Sequence, residues 1–144
     1  MYKKMACCLV LFFSMFGCGN IEIDEDEYEA NNTDYYYETG NQFIFDGHQK
    51  IKAGDYLGAV KDFTKAMDEL PGYAYLYGFR AWAKQESKDY EGALADINKA
   101  IEMQSDIADF YKWRAEIYRD IGQDDLMEED FKKVRELKKY QQQY

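Results

Sequence analysis

Gly54-Asp55-Tyr56-Leu57-Gly58-Ala59-Val60-Lys61-Asp62-Phe63-Thr64-Lys65-Ala66-Met67 aligns with Lys88-Asp89-Tyr90-Glu91-Gly92-Ala93-Leu94-Ala95-Asp96-Ile97-Asn98-Lys99-Ala100-Ile101 at an offset of 34. Asp, Tyr, Gly, Ala, Asp, Lys and Ala recur in place. A third copy follows at the same offset through Gly122, Met127, Phe131 and Val134, with Met127 and Val134 where the first two copies have alanine. A fixed period of this length signals stacked structural units, each of which buries its apolar face only against its neighbours.

A second helical stretch precedes each block. Phe43 and Gly47 correspond to Tyr77 and Ala81, then to Tyr111 and Ala115, and Arg80 matches Arg114. Apolar spacing predicts helices of about 13 residues, so each unit reads as helix, short turn, helix. Pro71 closes the first unit where a proline can end a helix without breaking it. Ser105-Asp106 is a candidate cap before the third. Gly47, Ala59, Ala66, Ala81, Ala93 and Ala100 should lie where helix axes approach closely, with Phe43, Tyr56, Phe63, Tyr77, Tyr90 and Ile97 filling the spaces between.

The spacing of small and aromatic residues, Gly54, Tyr56, Ala59, Phe63, Ala66, Pro71 and then Tyr90, Ala93, Ile97, Ala100, resembles the tetratricopeptide repeat (TPR) family. The third unit matches through Tyr111, Ala115, Tyr118, Gly122 and Phe131. The resemblance implies an all-α chain, a right-handed α-solenoid of three antiparallel helix hairpins. The expected units span residues 40–73, 74–107 and 108–139, with the third degenerate and terminal and 140–144 a tail. Val60/Met67 and Leu94/Ile101 should face the following unit; the third unit has Glu128 and Arg135 there, the polar outer face that a last repeat needs.

Charge divides the chain further. Its net charge is −10, and residues 19–39 hold eight acids and no Lys or Arg. This composition predicts a flexible acidic linker over residues 18–39. An acidic chain without a clustered basic face is not built for nucleic acid. Lys132-Lys133, Arg135 and Lys138-Lys139 fall at a predicted helix C-terminus, where cations meet the helix dipole favourably. Glu128-Glu129-Asp130 and Asp124-Asp125 read as first-turn acids of the same helix.

Residues 1–17 have the layout of a signal peptide: Lys3 and Lys4, an apolar run from Met5 to Phe16, then Gly17-Cys18-Gly19. Met15-Phe16-Gly17-Cys18 resembles a bacterial lipobox, with Phe16 in place of the usual small residue. That resemblance implies lipidation at Cys18 and a lipid-anchored protein of the bacterial cell envelope. Gly19 at the following position favours the outer membrane. The acids from Glu22 to Glu29 resemble the tags of surface-exported Bacteroidetes lipoproteins, which leaves surface exposure open.

The three cysteines, Cys7, Cys8 and Cys18, all lie in or beside the leader, so no disulfide framework or thiolate zinc site is available beyond it. His48 is the one histidine. No catalytic triad order, phosphate-cradling glycine loop or metal-ligand pair occurs. The expectation is a non-catalytic protein without metal, other cofactor or small-molecule substrate.

In the family it resembles, the first helices of the units line a concave groove that holds a partner peptide or helix. By register the groove would display Ile44, His48 and Ile51 from the first unit, Tyr75, Phe79, Trp82 and Gln85 from the second, and Lys112, Trp113, Glu116 and Arg119 from the third. Trp82 and Trp113 fit equally a role in packing between helices, and Lys112 and Arg119 fit plain surface charge. Some members of the family grip a C-terminal carboxylate with Lys and Asn in the first unit; the matching positions here hold Ile44 and His48, which argues against such a clamp. The resemblance implies a protein–protein interaction module. A pilotin-like assembly factor for a secretion or pilus system, or a structural self-associating lipoprotein, are the alternatives.

Overall fold

The repeat resolves into six helices among the described residues. The computed structural model describes the backbone of residues 25–141 and the side chains of residues 38–140. In order they are α1 (Glu25–Lys52), α2 (Tyr56–Glu69), α3 (Ala74–Glu86), α4 (Tyr90–Met103), α5 (Ala108–Asp120) and α6 (Asp124–Gln141). The leader, Cys18 and residues 142–144 lie outside the described residues. The chain divides by compactness into Met1–Asn32 and Thr33–Tyr144, and the packing described below belongs to the second part.

The first helix departs from expectation. Composition predicts a flexible linker as far as residue 39, but the backbone is helical from Glu25. Nothing in the stretch forbids this: it contains no proline, and Glu25-Asp26-Glu27 stand at the N-terminal end, where the helix dipole favours acids. Low hydrophobicity reports how little apolar surface a segment can bury and does not speak to its local helix propensity.

Within each unit the two helices are joined by one residue in the left-handed region. These are Gly54 (φ 79°), Lys88 (φ 68°) and Gly122 (φ 73°), 34 residues apart. The next N–H reaches back to the helix it leaves, Asp55 to the Lys50 carbonyl at 2.9 Å, Asp89 to Lys84 at 2.9 Å and Gln123 to Tyr118 at 2.9 Å. This is glycine-type helix termination, and Lys88 occupies it with a Cβ that the conformation penalises. Lys88→Gly is expected to raise stability by about 0.5–1 kcal/mol, read as a higher urea midpoint at unchanged slope.

After the turn, Asp55 and Asp89 cap α2 and α4 by accepting from the Gly58 and Gly92 N–H at 2.9 and 3.0 Å. Unit three has Gln123 and Leu126 at those positions, so the Asp-x-x-Gly cap is lost. The expected cap at Ser105-Asp106 does not form: the N-cap of α5 is Ile107, with no side-chain hydrogen bond. The Ser105 carbonyl instead accepts from the Tyr111 hydroxyl at 3.0 Å, a bond to backbone that any residue could supply.

The small residues sit where the period places them. Ala59, Ala66, Ala93 and Ala100 are fully buried, and Ala81 nearly so. A Cβ on Gly47 would come within 2.7 Å of the Phe63 ring. Phe63 joins α1, α2 and α3 with Ile51, Ala59 and Ala83. Phe110, Ile97 and Ile117 join α3, α4 and α5. Ile101 extends that packing to Ala108, Tyr111 and Val134 of the third unit. At the matching position on the last helix, Arg135 bonds Glu128 at 3.0 Å, both exposed.

A buried ion pair repeats with the same period. Arg80 on α3 donates to Asp96 on α4 through Nε and Nη2, both at 2.8 Å. Arg114 on α5 donates to Asp130 on α6 at 2.8 and 2.7 Å. The remaining guanidinium nitrogen reaches the preceding unit, Arg80 to Thr64 Oγ1 at 3.2 Å and Arg114 to Asn98 Oδ1 at 2.7 Å. Each arginine thus ties its own hairpin shut and fastens it to its predecessor. The carboxylate partners hold both guanidinium pKa values above the usual arginine range, against the opposing effect of burial. Unit one has Asp46 at the arginine position; its Asp62 is met by Lys50, at 2.6 Å. Asp130 is therefore not the dipole-facing surface acid that its neighbours suggest: it is 5% exposed and neutralises a cation from another helix.

Candidate partner-binding groove

The first helices of the units, α1, α3 and α5, bring aromatic side chains into one chain of ring contacts. His48 lies edge-on to Phe79, centroids 4.6 Å apart, and to Phe63 at 5.3 Å. It lies 6.2 Å from Trp82. Phe79 continues to Trp113 at 6.0 Å and to Tyr75 at 6.1 Å. Tyr75 stands edge-on to Phe110 at 5.0 Å and to Trp113 at 6.3 Å. Offset and edge contacts of this kind hold rings in fixed orientations and add to the energy of burial. Gly78 makes the close approach possible: a Cβ there would come within 2.5 Å of the Trp113 ring.

The expected groove residues separate into three groups. His48, Tyr75, Phe79 and Trp113 are half-buried and joined by the ring contacts. Trp82 is 40% exposed, and its indole N–H donates to Glu86 at 3.3 Å. It presents the largest open aromatic surface of the set. Lys112, Glu116 and Arg119 form a charged rim. Lys112 and Glu116 lie 3.9 Å apart, and Arg119 Nε is 3.8 Å from Asp120, so the rim charges partly cancel. Ile44 is half-buried at the α1 side.

Two expected residues are not groove residues. Ile51 is 8% exposed and packs with Ala59, Phe63 and Ala83, because the last turn of α1 slides beneath α2 and α3. Gln85 is 8% exposed, with its amide donating to Asp120 at 2.7 Å. That bond links the ends of α3 and α5 across the unit boundary. Of the two tryptophans left open between groove and packing, Trp113 packs against Gly78 and Phe110, and Trp82 is 40% exposed. Sequence reasoning missed Tyr73, 47% exposed and stacked on Tyr75 at 5.8 Å, which extends the aromatic surface at the start of α3. Its position just before a helix start hid it from a register argument that counted helical residues only.

His48 is the one imidazole of the set. Burial, then the charge of Lys52, pushes its pKa below the usual imidazole value. An imidazole that resists protonation when folded takes up its proton more readily unfolded. Between the two pKa values the unfolded chain binds more protons, so stability rises with pH there and falls as pH drops below about 6.5. The melting temperature should therefore decline from pH 7.5 to 5.5, and His48→Phe should remove most of that decline. A slope unchanged in the variant would assign it to other groups.

No group of three or more His, Cys, Asp or Glu able to hold a metal ion occurs among the described residues. No described helix is long and apolar enough to cross a membrane.

No protein-family model and no curated protein matches the chain. Solved structures do. The first TPR domain of Spaghetti (RPAP3), bound to an HSP90 peptide, superimposes with a TM-score of 0.64 at 25% identity, covering 69% of this chain and 79% of that one. The first TPR domain of human RPAP3 gives 0.65 at 25% identity, covering 69% and 78%. The second TPR domain of Spaghetti gives 0.67 at 20% identity, covering 79% and 98%. Hairpins of matching period, alanines at the close approaches and these superpositions agree, and the chain has the all-α solenoid fold of the TPR domains.

Proposed function

We propose that this protein is a non-catalytic interaction module of the bacterial cell envelope that holds a partner peptide or helix against the aromatic face of α3 and α5. The observation that carries the reading is the ring chain from His48 through Phe79 to Trp113, with Trp82 open to solvent beside it. Rigid aromatic side chains supply contact area at little cost in side-chain entropy, and such residues dominate interface energetics. The similar Spaghetti domain is bound to an HSP90 peptide, which supports a peptide as the kind of ligand. With Ile44 and His48 in the first unit and a lowered His48 pKa, this face recognises apolar and aromatic side chains in preference to a terminal carboxylate.

An affinity pull-down from detergent-solubilised envelope, run in parallel with wild type and Trp82→Ala, tests the groove. Partners lost with the variant support it, and identical partner sets sink it. Trp82 is 40% exposed, so a circular dichroism melt of Trp82→Ala run beside the pull-down separates lost binding from lost fold.

Anchoring belongs to the same proposal. Lys3 and Lys4, the apolar run and Gly17-Cys18 support cleavage before Cys18 and its lipidation, with the outer membrane as the address. Two or more acyl chains would hold the protein stably, whereas one would hold it marginally. Mass spectrometry of the mature N-terminus decides: an unmodified Cys18 ends the anchoring claim.

A further inference from the structure

We infer that copies of this chain associate head to tail, the outer face of α6 in one copy seating on the outer face of α1 in the next. The argument is one of register. Inside the stack, each first helix meets the preceding second helix through residues 16 positions apart. Phe79 packs on Phe63 with centroids 5.7 Å apart, Arg80 donates to Thr64, and Arg114 donates to Asn98. Continued past the third unit, the same register would set Phe45 of a second copy on Phe131 and Asp46 on Lys132.

Both pairs are complementary. Phe45 is 57% exposed, the one first-helix member of the Phe45, Phe79, Trp113 series with no preceding second helix among the described residues, and Phe131 gives it an aromatic mate. At the next position the polarity of the arginine contact is reversed: the cation, Lys132, stands on the second helix and the anion, Asp46, on the first. Among the described residues Lys132 and Asp46 make no ion pair, and Asp46 accepts a hydrogen bond from Gln42 at 2.9 Å with Lys50 near enough to feel its charge. Helix ends agree as well. α4 and α5 run antiparallel where one ends at Met103 and the other begins at Ala108. By the same register the end of α6, with Lys138 and Lys139 exposed, would run beside Glu38 of α1.

Like ends repel. Pairing two α1 faces would set Asp46 against Asp46, and pairing two α6 faces would set Lys132 against Lys132. The favoured contact is therefore between unlike patches, which extends into chains or closes into rings. With Glu128, Arg135 and Gln49 also on these faces, the contact is polar, and it weakens as salt screens it.

Charge exchange tests the pairing. Sedimentation velocity of the full chain in non-ionic detergent at low ionic strength should show wild type growing in size with concentration. Asp46→Lys and Lys132→Asp should each weaken association by about tenfold or more. An equimolar mixture of the two single variants should regain it, because the α1 face of the first then carries a cation and the α6 face of the second an anion. The double variant should regain it alone. Wild type that stays monomeric, single variants that associate like wild type, or a mixture that fails to recover would each overturn the inference. Lys132 is exposed and Asp46 half-buried with no ion pair among the described residues, so circular dichroism should be the same for all forms. The groove and its Trp82 take no part, and their pull-down succeeds or fails separately.

Discussion

Asp96→Ala should be the most damaging single substitution in the ion-pair layer, costing about 3 kcal/mol of stability. Its carboxylate accepts both arms of the Arg80 guanidinium, and the Lys84 ammonium lies 2.8 Å from Oδ2. The carboxylate is 8% exposed and the two cations 19% each. Removing it leaves two positive charges side by side with little water to screen them. The cost stands at the lower end for buried pairs because the cations are only partly desolvated. A graded comparison isolates the cause. Arg80→Met should be milder than Arg114→Met, since Asp96 keeps Lys84 whereas Asp130 has Arg114 as its only ion-pair partner among the described residues. Urea midpoints at constant slope measure all three, and equal losses for the two arginines would contradict the charge argument.

Phe110→Ala is expected to cost about 3–5 kcal/mol, the usual range for emptying a fully buried aromatic site. Phe110 has no exposed surface, anchors the packing between the second and third units, and lies edge-on to Tyr75. Domains of this size are stable by roughly 5–15 kcal/mol, so the loss is a large share of the total. Its effect reaches the aromatic face, because Phe110 lies behind Tyr75 and Trp113. The chain has two tryptophans, and of these Trp113 is the one that would gain water. Phe110→Ala should therefore redden the fluorescence of Trp82→Ala protein, whose remaining signal is Trp113. An unshifted spectrum with unchanged stability would mean the ring is not the support it is taken to be.

The repeat made much of this legible in advance. Ala59, Ala93, Ala66 and Ala100 recur because a larger side chain at any of them would separate two helices, so burial there follows from the period itself. Glu128 and Arg135, at the positions of Leu94 and Ile101, are exposed and paired with each other for the converse reason. The groove was harder to read. A register argument places a whole helix face on one side, but the last turns of α1 and α3 lie against neighbouring helices, taking Ile51 and Gln85 out of solvent, while the equivalent Arg119 on α5 stays exposed. Asp130 was hidden by company: in a run of acids, local rules favour the helix dipole, and its partner Arg114 lies 16 positions upstream on another helix. The usable signal was the joint recurrence of Arg80 with Asp96 and Arg114 with Asp130 at one separation.

The arginine that fastens each unit to its predecessor sets the order in which the stack comes apart. Arg80 and Arg114 each hold two hairpins, so opening an inner unit breaks bonds on both sides of it. Among the described residues the third hairpin is held from one side only, and α6 starts without the Asp-x-x-Gly cap that secures α2 and α4. Local opening free energy therefore rises from α6 inward. Amide protons of α6 should exchange with solvent first and those of α4 last, so that the surface nearest Trp113 stays folded only as long as the hairpin behind it does.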